Sequence, residues 1–240
     1  MSDHRLSPIV TAGPVRLLGT PVLAFWTGVS EGDQRGIVQG ATGSAPSPVP
    51  HSLRVAGAIQ VHGSAIISVG TDISVGTGDG AETAEADGVV ATDELSCPAV
   101  LTADCVSVAM GSPEGIRAAV HAGWRGLVRG VIGNAASVMR SSGASKIVAS
   151  FGPCIGPCCY EFSPDDLSAV ESELGTGLRA ITTSGHPSLD IRLAARRVLE
   201  KVNAEVIPAE IPCTSCGNGW FSARARKDVE RQALYVWRDK

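Results

Sequence analysis

Short continuous apolar runs, set off by glycine- and proline-bearing turns, dominate this chain. Runs of that kind read as strands buried on both faces. VSVAM after Cys105 and IRAAV before His121 form the clearest pair, with SPEG (Ser112 to Gly115) as the turn between them. Folded back as a hairpin, they would carry Cys105 and His121 to the same end of a sheet. Val15 to Leu18 and Pro21 to Trp26 read as a first hairpin around Gly19-Thr20. Ala58 to Val61 and Ser64 to Val69 are strand material interrupted at His62-Gly63. Asp87 to Thr92, Lys146 to Phe151, Val206-Ile207 and Leu234 to Trp237 complete the strands.

Helical spacing is clearest from Gly126 to Arg140, where Leu127, Val128, Val131, Ile132, Ala135, Val138 and Met139 make one apolar face. Ser163-Pro164-Asp165-Asp166 supplies an N-cap, a first-turn proline and first-turn acids, predicting a helix to about Leu174. Asp190 caps another through about Val202. Gly28 to Ser52, rich in Gly, Ser, Pro and Gln, is expected to be an exposed loop, and residues 1–13 a tail. SVGTGDG (Ser74 to Gly80) lacks the Lys-Ser/Thr ending of a phosphate loop and reads as a turn. With no internal repeat, residues 14–240 are expected to form one catalytic domain of mixed α/β class, with strands outnumbering helices.

Composition narrows the setting. Apolar residues make up 44% of the 240 positions, enough for a core without a disulfide framework. A formal charge of −4 argues against nucleic acid or an acidic membrane as the main partner. No run approaches the ~18 apolar residues of a membrane span, and no signal peptide is evident. The seven cysteines, odd in number and unevenly spaced, suit a reducing compartment. A cytoplasmic protein is expected.

Two chemistries fit the residues around the central hairpin. His62, Cys105 and His121 each lie where a strand gives way to a turn, and three such ligands with a fourth open position make a catalytic zinc site. Alternatively, Cys105 is a thiolate nucleophile activated by His121 and oriented by Asp104. If its strand is regular, Asp104 points to the opposite face from Cys105. Arg125, opening a helix, is a candidate for binding a substrate anion. Cys213 and Cys216 have the spacing of half a structural zinc site, and Cys154, Cys158 and Cys159 could supply the rest. Lacking a second C-x-x-C, this group is expected to be structural or incidental thiols. Arg224, Arg226 and Lys227 read as surface cations.

QVHG (Gln60 to Gly63), TADC (Thr102 to Cys105), AAVHAGWRG (Ala118 to Gly126) and GPCIGPCCYEF (Gly152 to Phe162), in that order, resemble the signature of the laccase-domain, or polyphenol oxidase-like, family. That family includes purine nucleoside phosphorylases and peptidoglycan editing factors. LDIRLAARRVL (Leu189 to Leu199), CTSC (Cys213 to Cys216) and FSARARKD (Phe221 to Asp228) match its closing motifs more loosely. The resemblance implies a four-layer α/β/β/α sandwich with mixed sheets. It also implies a zinc site with ligands falling on His62, Cys105 and His121. Copper ranks below zinc, because copper oxidases need several histidine-rich sites and this chain has five histidines. The implied reactions are phosphorolysis of adenosine, inosine, guanosine or methylthioadenosine, and deamination of adenosine. Asp104 would then serve as proton shuttle, and Arg125 would lie near the phosphate. Rival readings are amide cleavage in peptidoglycan precursors and copper-dependent phenol oxidation. The sequence departs from the family pattern at Thr27 to Ser30 and at Ser222-Ala223-Arg224-Ala225, so substrate identity is less constrained than the ligand set.

Overall fold

The computed structural model describes residues 13–40, 43–70 and 84–239. Two sheets pack face to face. The five-stranded sheet has the order β1 (Val15–Arg16), β2 (Val22–Trp26), β13 (Gln232–Arg238), β6 (Ser96–Thr102) and β3 (Arg54–Ala56). The six-stranded sheet has the order β12 (Ala204–Val206), β9 (Ile147–Phe151), β7 (Val106–Gly111), β8 (Arg117–Ala122), β5 (Gly88–Ala91) and β4 (Ile66–Val69). Both are mixed: β3 runs parallel to β6, and β12 to β9, among antiparallel neighbours.

Strand periodicity sorts each residue to one of two cores. On β13, Leu234 and Val236 join Val22, Ala24, Trp26, Ala109, Ala119 and Val148 between the sheets. Ala233, Tyr235 and Trp237 point the other way, onto Val38, Ala45 and Val49. The six-stranded sheet contributes mainly small alanines to the inter-sheet layer. Its larger residues, including Val108, Met110, Val120 and Phe151, lie under the helices. The helical layer comprises α2 (Trp124–Val128), α3 (Val131–Ser141), α4 (Pro164–Leu174) and α5 (Ile191–Lys201). The fourth layer is thin: one turn of helix, α1 (Arg35–Val38), with residues 43–53. The result is a four-layer mixed α/β sandwich.

Cover on both faces explains why β5 to β9 carry continuous apolar runs. The β7–β8 hairpin forms as expected, pairing Val106 with Ala122 and Ser107 with His121. The helix starts at Ser163 and Asp190 also hold. Ser163 Oγ accepts the Asp166 N–H at 3.1 Å and Asp190 Oδ1 accepts the Leu193 N–H at 3.0 Å, each cap stabilising its helix by about 1 kcal/mol.

Other expectations are corrected. The helix expected over Gly126 to Arg140 is two, because Gly130 adopts φ +83° and breaks it between α2 and α3. Ala58 to Val61 is not a strand; Ile59 makes a single bridge to Glu85. The Gly28 to Ser52 loop holds a 3₁₀ turn (Val29–Glu31) as well as α1. β3, β6, the small β10 (Arg179–Ile181) and β11 (Pro187–Leu189) pair were not foreseen. The N-terminal tail and the Ser74 to Gly80 turn fall largely or wholly outside the described residues. Among the described residues, no helix is long and apolar enough to cross a membrane.

Candidate metal centre and cleft

Cys105 sits where the chain crosses between sheets, since β6 belongs to one and β7 to the other. The connecting Ala103–Cys105 turn is tight. Thr102 Oγ1 donates to the Cys105 carbonyl at 2.6 Å, and Asp104 takes the left-handed φ of +97°. His121 reaches the same point from β8, by the hairpin register. His62 arrives on the bend between Ile59 and β4, also left-handed at φ +58°. Two non-glycine residues in this sparsely populated region, side by side at one site, store strain that the surrounding hydrogen bonds must offset.

At His62 one carboxylate does that work. Asp87, fully buried at the head of β5, accepts the His62 N–H at 3.0 Å on Oδ1 and those of Val61 and Gly63 at 3.2 and 2.6 Å on Oδ2. Its Oδ1 also meets His121 Nδ1 at 2.7 Å, and its own carbonyl accepts the His121 N–H at 2.7 Å. Burial disfavours its charge, but the His121 ring and the loop N–H groups prevail, holding the carboxyl below its usual range. An ionised partner on Nδ1 makes that nitrogen the donor and frees Nε2 as a ligand.

The donor atoms of His62, Cys105 and His121 all lie within 4.8 Å of one another. Cys105 Sγ is 3.9 Å from His62 Nε2, and the two imidazoles stand edge to face at 4.8 Å between centroids. Gly123 makes the approach possible: a Cβ there would lie 3.0 Å from His62 Cδ2 and 3.1 Å from Cys105 Sγ. Burial would raise the Cys105 thiol, but the charge and hydrogen bond of His121 overcome it, bringing the thiol down to about 6. Conversely His121, whose charge burial disfavours, is carried up to about 9 by the Cys105 thiolate and Asp87. Both shifts run in the direction of a thiolate beside an imidazolium.

The three donors open onto a cleft of about 500 Å³. Ile59, Leu101 and Tyr160 give it apolar walls, and Arg35, Arg224, Lys227 and Arg231 supply positive charge. Gln60 does not read the cleft, because its amide is paired with both backbone groups of Leu101 at 2.7 and 2.8 Å.

Residues 22–239 match the family model described as multi-copper polyphenol oxidoreductase laccase. The chain belongs to that family. Among curated relatives, a Streptomyces griseus protein named purine nucleoside phosphorylase is 32% identical, with 99% of each chain covered. A Streptomyces coelicolor protein of the same name is 36% identical over 64% of this chain and 64% of its own, and one from Mycobacterium bovis 37% identical over 64% and 62%. The match thus spans under two thirds of the length of those two. The YlmD protein of Geobacillus stearothermophilus has the same fold, with a TM-score of 0.72 at 24% identity, covering 98% of this chain and 99% of that one.

Within this laccase-family chain, the fold gathers His62, Cys105 and His121 but separates the other two expected residues from them. Asp104 lines the cleft, yet it does not continue a strand. Its left-handed turn aims the carboxylate at residues 214–224. There Oδ1 accepts Thr214 Oγ1 at 2.5 Å and Ser215 Oγ at 3.5 Å, and Oδ2 accepts the Arg224 N–H at 2.7 Å. Arg125 does not line the cleft; its guanidinium stacks 4.4 Å above the Trp124 ring. Arg224 and Lys227, read from sequence as surface cations, do line it, and Arg224 also lies over Tyr160 at 5.2 Å. Asp87 was visible only as the first residue of a predicted strand. An aspartate opening a buried apolar run was its sole sequence signal.

Proposed function

We propose that this protein is a zinc-dependent purine nucleoside phosphorylase acting on adenosine, inosine, guanosine or methylthioadenosine. The observation carrying this reading is the juxtaposition of three soft-to-borderline donors with a cationic cleft of about 500 Å³. One thiolate and two imidazoles, with the cleft on their open side, suit zinc. Multi-copper oxidation would call for further histidine-rich centres. The second donor cluster among the described residues is all cysteine. Bound by His62, Cys105 and His121, zinc would supply Lewis acidity.

The protein's own residues divide the remaining work. Asp87 fixes the tautomer and orientation of His121 and pins the His62 loop by its backbone. Arg224, Lys227 and Arg231 offer donors to the phosphate oxyanion, which guanidinium groups bind in bidentate fashion, while Arg35 is paired with Asp33. Tyr160, whose hydroxyl burial holds in the protonated form, offers the sugar or base a flat wall with a polar tip. Asp104, with both oxygens taken by the 214–224 segment, serves as a positioning residue for Arg224 rather than as a proton shuttle. Arg125, stacked on Trp124, is placed outside the phosphate-binding set in this reading.

Product chromatography after incubating zinc-loaded protein with adenosine, with and without phosphate, tests the assignment. Phosphate-dependent adenine and ribose 1-phosphate, lost in Cys105→Ala, are expected. Phosphate-independent inosine would instead assign deamination to the same cleft. No nucleoside turnover by a folded, zinc-loaded sample would overturn the proposal and favour amide cleavage in cell-wall precursors.

A further inference from the structure

The segment after β9 and the segment before Trp220 meet at a second group of donors. The Sγ atoms of Cys158, Cys159, Cys213 and Cys216 all lie within 4.8 Å of one another, although more than fifty residues separate the two pairs in sequence. Cys216 Sγ is 3.5 Å from Cys158 Sγ and 3.4 Å from Cys159 Sγ. Cys213 Sγ accepts the Gly156 N–H at 3.2 Å. We propose that these four cysteines form a second metal centre, a tetrathiolate site for zinc separate from the His62–Cys105–His121 donors.

Distance favours a metal over a disulfide. Zinc–sulfur bonds of ~2.3 Å in a tetrahedron put sulfurs about 3.8 Å apart, a little beyond the closest pair at 3.4 Å and inside the 4.8 Å within which all four lie. A disulfide requires about 2.05 Å, so either close pair would have to move together by more than an ångström. Four cysteines and no open nitrogen or oxygen ligand mark a closed structural site, and soft thiolates at this geometry select zinc or iron over harder cations.

Four ionised thiols this close would repel one another, and a divalent cation removes that repulsion. The Gly156 N–H, 3.2 Å from the Cys213 sulfur, already favours a thiolate there. Cys154 stays outside the set. It is fully buried, and it serves the site only through its backbone, bridging to Cys213 and accepting the Thr214 N–H at 3.2 Å.

The position gives the ion a purpose. Thr214 and Ser215, inside the C-x-x-C turn, both donate to Asp104, next to Cys105. A tetrathiolate ion would clamp the turn to the 156–159 segment and so hold one wall of the cleft.

The test is metal analysis of chains purified under reducing conditions with added Zn²⁺. In His62→Ala/Cys105→Ser, which disables the first site, one equivalent of zinc is expected to remain. Adding Cys213→Ser/Cys216→Ser should remove it. Loaded with Co²⁺, the first variant should keep tetrathiolate charge-transfer and d–d absorption. If the quadruple variant does not fold, the zinc content and cobalt spectrum of His62→Ala/Cys105→Ser decide alone. Metal-free protein with all four thiols open to a thiol reagent, bound iron in place of zinc, or a Cys216 disulfide would each overturn the proposal. Nucleoside turnover enters none of these readouts, so failure here and failure of the phosphorylase reading are distinguishable.

Discussion

Replacing Asp87 by asparagine changes one atom and a charge at the point where the metal centre is held together. Each carboxylate oxygen serves two donors: Oδ1 takes the His62 N–H and the His121 ring, and Oδ2 takes the Val61 and Gly63 N–H groups. Asparagine has one acceptor oxygen, so it satisfies one pair and turns its NH₂ toward the other. If the oxygen stays with Val61 and Gly63, the amide donates to His121 Nδ1. The ring proton then moves to Nε2, where a ligand lone pair should be. If the oxygen stays with His62 and His121, the other side of the loop loses its anchor.

Two bonds to a charged group are lost, at about 1.5–3 kcal/mol each, against a typical total stability of about 5–15 kcal/mol. The variant should fold with a reduced margin. The cost to metal affinity is that of removing a supporting carboxylate, about 10–100-fold, or roughly 1.4–2.7 kcal/mol. Because the stability loss is the larger effect, zinc affinity must be read by chelator competition well below the melting transition, with thermal unfolding recorded in parallel. Zinc affinity within about twofold of the parent chain, with an unchanged melting temperature, would refute the supporting role given to this carboxylate.

Five further outcomes are expected. In metal-free protein, alkylation of Cys105, followed on its own peptide by mass spectrometry, should be fast above a midpoint near 6 and be lost as pH falls through it. His121→Gln should move that midpoint upward, because it removes the charge that opposes burial. Gly123→Ala puts a methyl 3.0 Å from His62 and 3.1 Å from Cys105; zinc affinity should drop by about tenfold or more while far-UV circular dichroism is unchanged. Arg224→Ala should raise KM for phosphate by about tenfold or more, the worth of a hydrogen bond to a charged group, with a smaller change for the nucleoside. Arg125→Ala, stacked on Trp124 outside the cleft, should leave the phosphate KM within about twofold, and equal losses in both variants would contradict the cleft assignment.

Local chemistry determined what could be read without a structure. The β7–β8 hairpin was legible because both strands are buried on both faces and the SPEG turn lies between them. The starts of α4 and α5 were legible because capping is settled within four residues. The three metal donors were legible as residue types at strand ends, and their order within four motifs marked the family. The break at Gly130 was not legible, since apolar spacing runs through it unchanged and only the positive φ interrupts the helix.

What the sequence could not determine was which sheet each strand joins and which distant segments meet. Asp104 looked like a strand neighbour of Cys105 until the crossing from one sheet to the other turned its carboxylate toward Thr214. Arg224 and Lys227 are exposed cations, as expected, but only the fold of the 221–231 segment places them on the cleft. Arg125 had the more suggestive position in sequence, yet its guanidinium stacks on Trp124. Asp87 and the four-cysteine cluster depend wholly on long-range contact. A carboxylate becomes a histidine's partner, and a scatter of thiols becomes a donor set, only when tertiary packing brings them within a few ångströms. Hydrogen bonds and metal coordination act over that range, and sequence spacing does not encode it.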